Sequence, residues 1–235
     1  LLVYKYSRDA LESLSLELSR SFTDRIVCSI DSLQTELWSE GWKDSFQLVT
    51  TDRFVVFPPW RSTNDAQKFP IEIDPGMAFG TGQHATTQLC LHVMEKKDLR
   101  NISFLDVGTG SGILLVAAAH LGAKSLIGID IDPDAVLSAR DNIQRNNVVA
   151  QVAEKPVSMM PSNHFDFVVA NILAVVLKRI ASDVARVLTP SGELLLCGVL
   201  DDEHTEVVER YEEHGLKFKS KSVRNDWAAL TFVKP

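Results

Sequence analysis

The sequence predicts an α/β protein whose larger part is a mostly parallel sheet with helices on both faces. Three observations carry that expectation. From about residue 70 apolar runs of strand length alternate with stretches of helical periodicity, a glycine-rich turn joins one such strand to the next helix, and two strand-like runs close the chain.

The elements follow in order. Leu1 to Tyr6 is a short strand candidate, and Asp9 to Phe22 carries Leu11, Leu14, Leu16 and Leu18 on or near one helical face. Arg25 to Ile30 is a second strand candidate, followed by the acidic, tryptophan-bearing segment LQTELWSEGWKDSF. RFVVF at 53–57 is a strand that stops at Pro58-Pro59, since proline cannot donate a ladder hydrogen bond. ISFLDV (102–107) reads as a buried strand, SGILLVAAAHLG (111–122) as a helix closed by Gly122, and SLIGID (125–130) as the next strand. PDAVLSARDNIQRNN (133–147) has the leading proline and apolar spacing of a helix. FDFVVANIL (165–173) and GELLLCGVL (192–200) are strands, separated by a helix over about 174–188 that ends before Thr189-Pro190-Ser191-Gly192. EHTEVVERYEEHG (203–215) is an amphipathic helix with a solvated acidic face, and FKSKSV and WAALTFV are the closing strands. These texture changes divide the chain into a small unit at 1–50, a linker at 51–69 and a large domain at 70–235.

Composition excludes several classes. The 235 residues are 45% hydrophobic and 23% charged, enough for a full core. No apolar run approaches the ~18–20 residues of a membrane span, and the start lacks the pattern of a signal peptide. We therefore expect a soluble, cytoplasmic protein without a membrane partner. Cys28, Cys90 and Cys197 are scattered and odd in number, which argues against a disulfide framework and a zinc site, so no metal is expected. The 24 basic against 31 acidic residues give a formal charge of −7, which does not favour a nucleic-acid footprint. The chain starts at Leu1 rather than Met, so an incomplete or processed N-terminus is expected.

Asp106-Val107-Gly108-Thr109-Gly110-Ser111-Gly112 lies between a strand and a helix, where an open α/β sheet binds cofactors. Its G-x-G-x-G spacing differs from the G-x-G-x-x-G of dinucleotide binding. An acid at the strand end suits a ligand with an amino group, such as the methionine half of S-adenosylmethionine, better than a pyrophosphate. Twenty-two positions after Gly108, Asp130 ends the next strand, where an acid can accept both ribose hydroxyls while Ile131 packs on adenine. A second glycine-rich loop, Asp74-Pro75-Gly76-Met77-Ala78-Phe79-Gly80-Thr81-Gly82-Gln83-His84-Ala85-Thr86-Thr87, opens a helix with Thr86 and Thr87 in capping positions, and loops of this composition commonly line ligands. Asn171-Ile172-Leu173 directly follows FDFVVA.

Together these residues resemble the ribosomal protein methyltransferases of the PrmA type, whose target is the large-subunit stalk-base protein L-eleven. The loop DPGMAFGTGQHATT, the donor loop DVGTGSGIL and the post-strand NIL carry the likeness, with support from LWSEGWKDSFQ, FPPW, GIDIDPDAV and DWAALTF across residues 33–235. The resemblance implies a Rossmann-like class I methyltransferase sheet with a small, truncated α+β N-terminal domain for substrate recognition. It also implies S-adenosyl-L-methionine as donor substrate, contacts at Thr87, Gly108, Asp130 and Asn171, and Phe79, Thr81 and His84 in the loop covering the donor. Gly110 and Ile131 complete the expected donor set. Trimethylation of lysine and N-terminal amines of L-eleven is the implied activity, and a monomer is expected. Gln83 and Ala85 depart from the Thr and Pro common in the family, and the first 50 residues are shorter than its usual N-terminal domain.

The chemistry asked of the protein is modest. The sulfonium already activates the methyl group, so holding an acceptor nitrogen in line and excluding water is the main task. Asn171 is expected to orient the amine through its side-chain oxygen or the adjacent backbone carbonyl, or to serve only as a helix N-cap. His84 is read as packing in the donor loop before catalysis, and Trp38, Trp42 and Trp60 as core or interdomain packing. The same chemistry on another protein, a small molecule or RNA stays open, as does a nicotinamide-dependent oxidoreductase, against which the glycine spacing speaks.

Overall fold

The computed structural model describes residues 47–75 and 80–235. The elements expected within 1–46, with Trp38 and Trp42, and Phe79 of the covering loop lie outside the described residues.

A three-stranded sheet opens the described chain. β1 (Val49–Thr50) pairs antiparallel with β2 (Phe54–Phe57), and β2 runs parallel to β3 (Phe69–Glu72). The segment expected as a linker, 51–69, thus supplies a strand. The physical reason is in RFVVF itself: Phe54 and Val56 are fully buried and join the same core as the helices of the large domain. Glu95 at the end of helix α1 (Ala85–Met94) ties this sheet down, accepting hydrogen bonds from Thr51 Oγ1 at 2.6 Å and Arg53 N at 3.0 Å.

The remaining strands are β4 (Ser103–Val107), β5 (Ser125–Asp130), β6 (Gln151–Glu154), β7 (Phe165–Asn171), β8 (Leu188–Leu200), β9 (Lys217–Arg224) and β10 (Trp227–Val233). They form one seven-stranded sheet in the order β6-β5-β4-β7-β8-β10-β9, and β10 alone runs antiparallel to its neighbours. Helices α2 (Ile113–His120), α3 (Pro133–Arg145), α4 (Ala174–Val187) and α5 (His204–Glu212) connect them. Strand residues alternate between two cores, as the period of two requires: Phe104, Phe167, Val169 and Leu195 face α1, α2 and α3, whereas Leu105, Val168, Ala170 and Leu196 face α4 and α5. Both faces are buried, which is why these strands read as continuous apolar runs.

The order reverses at β4: the chain moves outward to β5 and β6, then returns past β4 to β7 and β8. The C-terminal ends of β4 and β7 therefore part beneath diverging loops, the position at which open α/β sheets bind ligands. Two further details differ from the sequence reading. β8 runs through Thr189-Pro190-Ser191-Gly192, but the turn signal there is physically real: Ser191 has φ +66° and the register with β7 shifts between Phe165 and Phe167. Thr86 and Thr87 lie buried inside the first turn of α1, and the N-cap is His84, whose ring nitrogen accepts from Thr86 N at 3.4 Å.

Candidate active site

A cavity of about 830 Å³ opens at the switch point, lined by the β4–α2 loop, the ends of β5 and β7, the start of α1 and Trp227 of β10. In the β4–α2 turn Gly108 N and Thr109 N donate to Ile129 O at 2.8 and 3.0 Å, folding the loop back over β5. Gly108 has φ +73°, and a Cβ there would stand 2.4 Å from Ile172 Cγ2, so no other residue fits without displacing that side chain.

Asp130 projects from the end of β5 into the cavity. Its Oδ2 accepts from Gly110 N at 3.0 Å and its Oδ1 from Asp132 N at 3.1 Å, which fixes the carboxylate while leaving one acceptor direction on each oxygen. Asp132 then caps α3 by accepting from Asp134 N. Ile131 lines the cavity yet is 72% exposed, an apolar side chain presented to whatever occupies the space.

Two buried oxygens beside this loop, Thr87 Oγ1 and Asp106 Oδ1, find no hydrogen-bond partner among the described residues. Burial pushes the Asp106 carboxyl up to about 7, opposed by the hydrogen bond from Thr109 Oγ1 at 2.8 Å and reinforced by the nearby charge of Asp130. A buried acid with an open acceptor, adjoining a glycine turn, suits an ammonium group. The vicinal acceptors of Asp130 suit a diol, and exposed Ile131 with Val157, both on the cavity lining, suit a flat ring. S-adenosylmethionine carries all three features, so the residues present fit it.

On the other side Asn171 ends β7, paired with Cys197 of β8, and lines the cavity. It is not a helix cap: α4 begins at Ala174, Leu173 is its N-cap, and the Asn171 side chain makes no hydrogen bond within the described residues. His84 and Trp227 complete this wall, their rings 5.2 Å apart in an edge-on arrangement. Of the expected residues, Thr87, Gly108, Gly110, Asp130, Ile131, Asn171 and His84 therefore meet at one cavity, while Thr81 is half-buried in the loop and away from the cavity wall.

Sequence reasoning missed the rim formed by Lys155, Pro156, Val157 and Ser158 after β6. Arg186 of α4 holds this segment by donating to Met160 O at 2.8 Å, Ser158 O at 3.1 Å and Val157 O at 3.3 Å. The available signal was the acid-ended Val152-Ala-Glu154 run before Pro156. Also missed was the anchoring of the covering loop. Ser111 Oγ donates to Gly80 O at 2.7 Å, while buried Asn142 donates to Ser111 O at 2.9 Å and accepts from Asp74 N at 2.9 Å.

Comparison with known proteins identifies the family. The family model described as ribosomal protein L11 methyltransferase (PrmA) matches residues 3–235. The ribosomal protein L11 methyltransferase of Geobacter sulfurreducens is 41% identical over 206 residues, covering 87% of this chain and 68% of that protein. The one from Hydrogenovibrio crunogenus is 36% identical over 207 residues, covering 88% and 70%. Among solved structures, the ribosomal protein L11 methylase of Lactobacillus delbrueckii subsp. bulgaricus superposes with a TM-score of 0.75 at 27% identity, over 81% of this chain and 100% of that one. A methyltransferase from Pyrococcus furiosus shares the fold alone, with a TM-score of 0.55 at 19% identity over 63% of this chain and 83% of that one. The sheet is thus the Rossmann-like sheet of class I methyltransferases, and the chain belongs to the ribosomal protein L11 methyltransferase (PrmA) family.

Proposed function

We propose that this protein transfers methyl groups from S-adenosylmethionine to lysine and N-terminal amines of ribosomal protein L11, acting as a monomer in the cytoplasm. The observation that carries this reading is the cavity that brings Asp130, Thr87 and the Gly108–Gly110 turn together with Asn171, with the buried carboxyl of Asp106 lying directly behind that turn. When bound, S-adenosylmethionine supplies a methyl group on a sulfonium, whose C–S electron pair returns to sulfur as the amine nitrogen forms the new C–N bond.

The chain's own residues do the rest. Asp130 holds the ribose hydroxyls, Gly108 and Gly110 let the donor approach the loop backbone, Ile131 and Val157 flank the base, and Asp106 with Thr87 receives the ammonium end. Phe79, Thr81 and His84 belong to the loop over the donor. A lysine amine, with an ordinary pKa of ~10.4, must shed a proton before attack, and desolvation against the apolar faces of Trp227 and Ile172 promotes that loss. Asn171 then accepts hydrogen bonds from the amine and aims its lone pair, a task of orientation that needs no strong base. The product amine remains nucleophilic, so repeated transfer follows if it rotates in place.

We assign residues 1–50 to acceptor recognition and residues 70–235 to catalysis. The formal charge of −7 suits a lysine-rich protein acceptor over RNA. The test is incubation of the full chain with labelled donor and total ribosomal proteins: label is expected in L11, and label confined to other proteins or to RNA contradicts the assignment.

A further inference from the structure

We infer that Gly198 is a positioning residue for methyl transfer: its missing side chain sets the height at which the Asn171-Ile172-Leu173 turn presents its polar atoms to the acceptor amine. The inference rests on the reading of Asn171 as the amine-orienting residue.

Gly198 lies on β8, next to Cys197, which pairs with Asn171, and it lines the same cavity. Its φ is +83°, and a Cβ there would stand 2.3 Å from Ile172 O and 2.8 Å from Ile172 C. The obstructing atoms are backbone, so rotating a side chain gives no relief. Ordinary contact would require the Ile172 carbonyl to retreat by roughly 1 Å. On its opposite side Ile172 covers Gly108, where its Cγ2 would meet an added Cβ at 2.4 Å. One residue is therefore held between the donor-loop glycine and the β8 glycine, and the peptide joining it to Asn171 carries the carbonyl next to the proposed acceptor position.

Ile172 also packs against the core beneath α4, and Leu173 O accepts from Val176 N and Leu177 N, but neither strand pairing nor a side-chain cap fixes the turn. Strand pairing of β7 ends at Asn171, Leu173 caps α4 without a side-chain hydrogen bond, and the Leu173 side chain is 66% exposed. β8 is also bulged here: between the pairs Ala228–Val199 and Leu230–Leu196, two β8 residues, Cys197 and Gly198, oppose Ala229 alone. Bulges beside active sites re-aim the neighbouring chain. A purely conformational role for Gly198 in that bulge would demand only a residue tolerant of positive φ. Asn tolerates it, and four of the five non-glycine residues with positive φ among the described residues are Asn. Close approach of backbone forbids any Cβ, Asn included.

The two roles separate in Gly198→Ala and Gly198→Asn of the full chain, compared with wild type for kcat and KM on L11, donor Kd by calorimetry, and thermal melting. Because a misplacement of about 1 Å at a reacting centre costs on the order of a hundredfold, both variants are expected to lose about 30- to 100-fold in kcat. They should keep a cooperative melt, donor Kd within about threefold and a little-changed KM for L11. Recovery of kcat in Gly198→Asn overturns the inference, as do an unchanged kcat in Gly198→Ala and a parallel loss of donor binding or folding. If wild type itself leaves L11 unmethylated, the acceptor reading falls and the inference with it. If wild type is active and the variants match it, Gly198 alone is refuted.

Discussion

The backbone N–H of Gly110 donates a 3.0 Å hydrogen bond to Asp130 Oδ2, joining the glycine turn after β4 to the acid at the end of β5. The turn and the carboxylate are one preassembled unit, so donor binding should depend on Asp130 through both its free acceptors and its hold on the loop. Hydrogen bonds to charged groups contribute about 1.5–3 kcal/mol each. Asp130→Ala is expected to weaken S-adenosylmethionine binding by roughly 100-fold in calorimetry, with Asp130→Asn intermediate. Equal affinity in wild type and Asp130→Ala would remove Asp130 from the donor site.

Asp106 gives the site a pH signature. Its folded-state pKa of about 7 lies above the ordinary carboxyl value of 3.8. The folded protein thus holds a proton that the unfolded chain releases, so this group's contribution to stability is fully present below about pH 4 and is lost as pH rises toward 7. An ammonium placed against Asp106 favours the carboxylate, so donor binding below pH 7 should release a proton. Calorimetry at pH 6 in buffers of differing ionisation enthalpy is expected to show that release, and Asp106→Asn to abolish it.

The covering loop is held at both described ends through Ser111. Asn142, buried on α3, bridges Ser111 O and Asp74 N, and Ser111 Oγ reaches Gly80 O. Removing Asn142's amide takes the hydrogen-bond partner from the buried carbonyl of Ser111, at about 1–3 kcal/mol, and breaks the link to Asp74 N. Asn142→Ala should lower Tm by about 4–8 °C in a chain of this size and weaken donor binding as well. A variant with lower Tm but unaltered donor affinity would make the bridge structural only.

Much of this was legible in the chain. Ser125–Asp130 and Trp227–Val233 coincide with the expected strands because each is an apolar run bounded by turn residues, and α3 starts at Pro133 as an N1 proline should. The glycine turn and the strand-end acid that meet at the cavity were legible because such features leave fixed spacings. The rim at 155–158 was not, since Gln151–Glu154 is four residues long with only Val152 buried and so leaves no periodicity to find. Gly198 was equally silent: inside LLLCGVL it looks like one more strand residue, and only its approach to Ile172 gives it a role. His84 as the cap of α1 could not be separated from two adjacent threonines by sequence, because all three side chains can accept from a backbone N–H.

Arg186 should affect the donor without touching it. Its guanidinium fastens the carbonyls of Val157, Ser158 and Met160, which carry the cavity rim. Arg186→Ala is expected to raise the donor KM about five- to tenfold, with KM for L11 unchanged. A shift in both constants, or in neither, would contradict that role.

The most direct measurement is the intact mass of purified L11 after incubation with the full chain and S-adenosylmethionine, run beside Asn171→Ala. The account predicts successive additions of one methylene mass per transfer with wild type and little or none with Asn171→Ala, while both proteins still bind the donor. Wild-type protein that binds donor yet leaves the mass of L11 unchanged would contradict it.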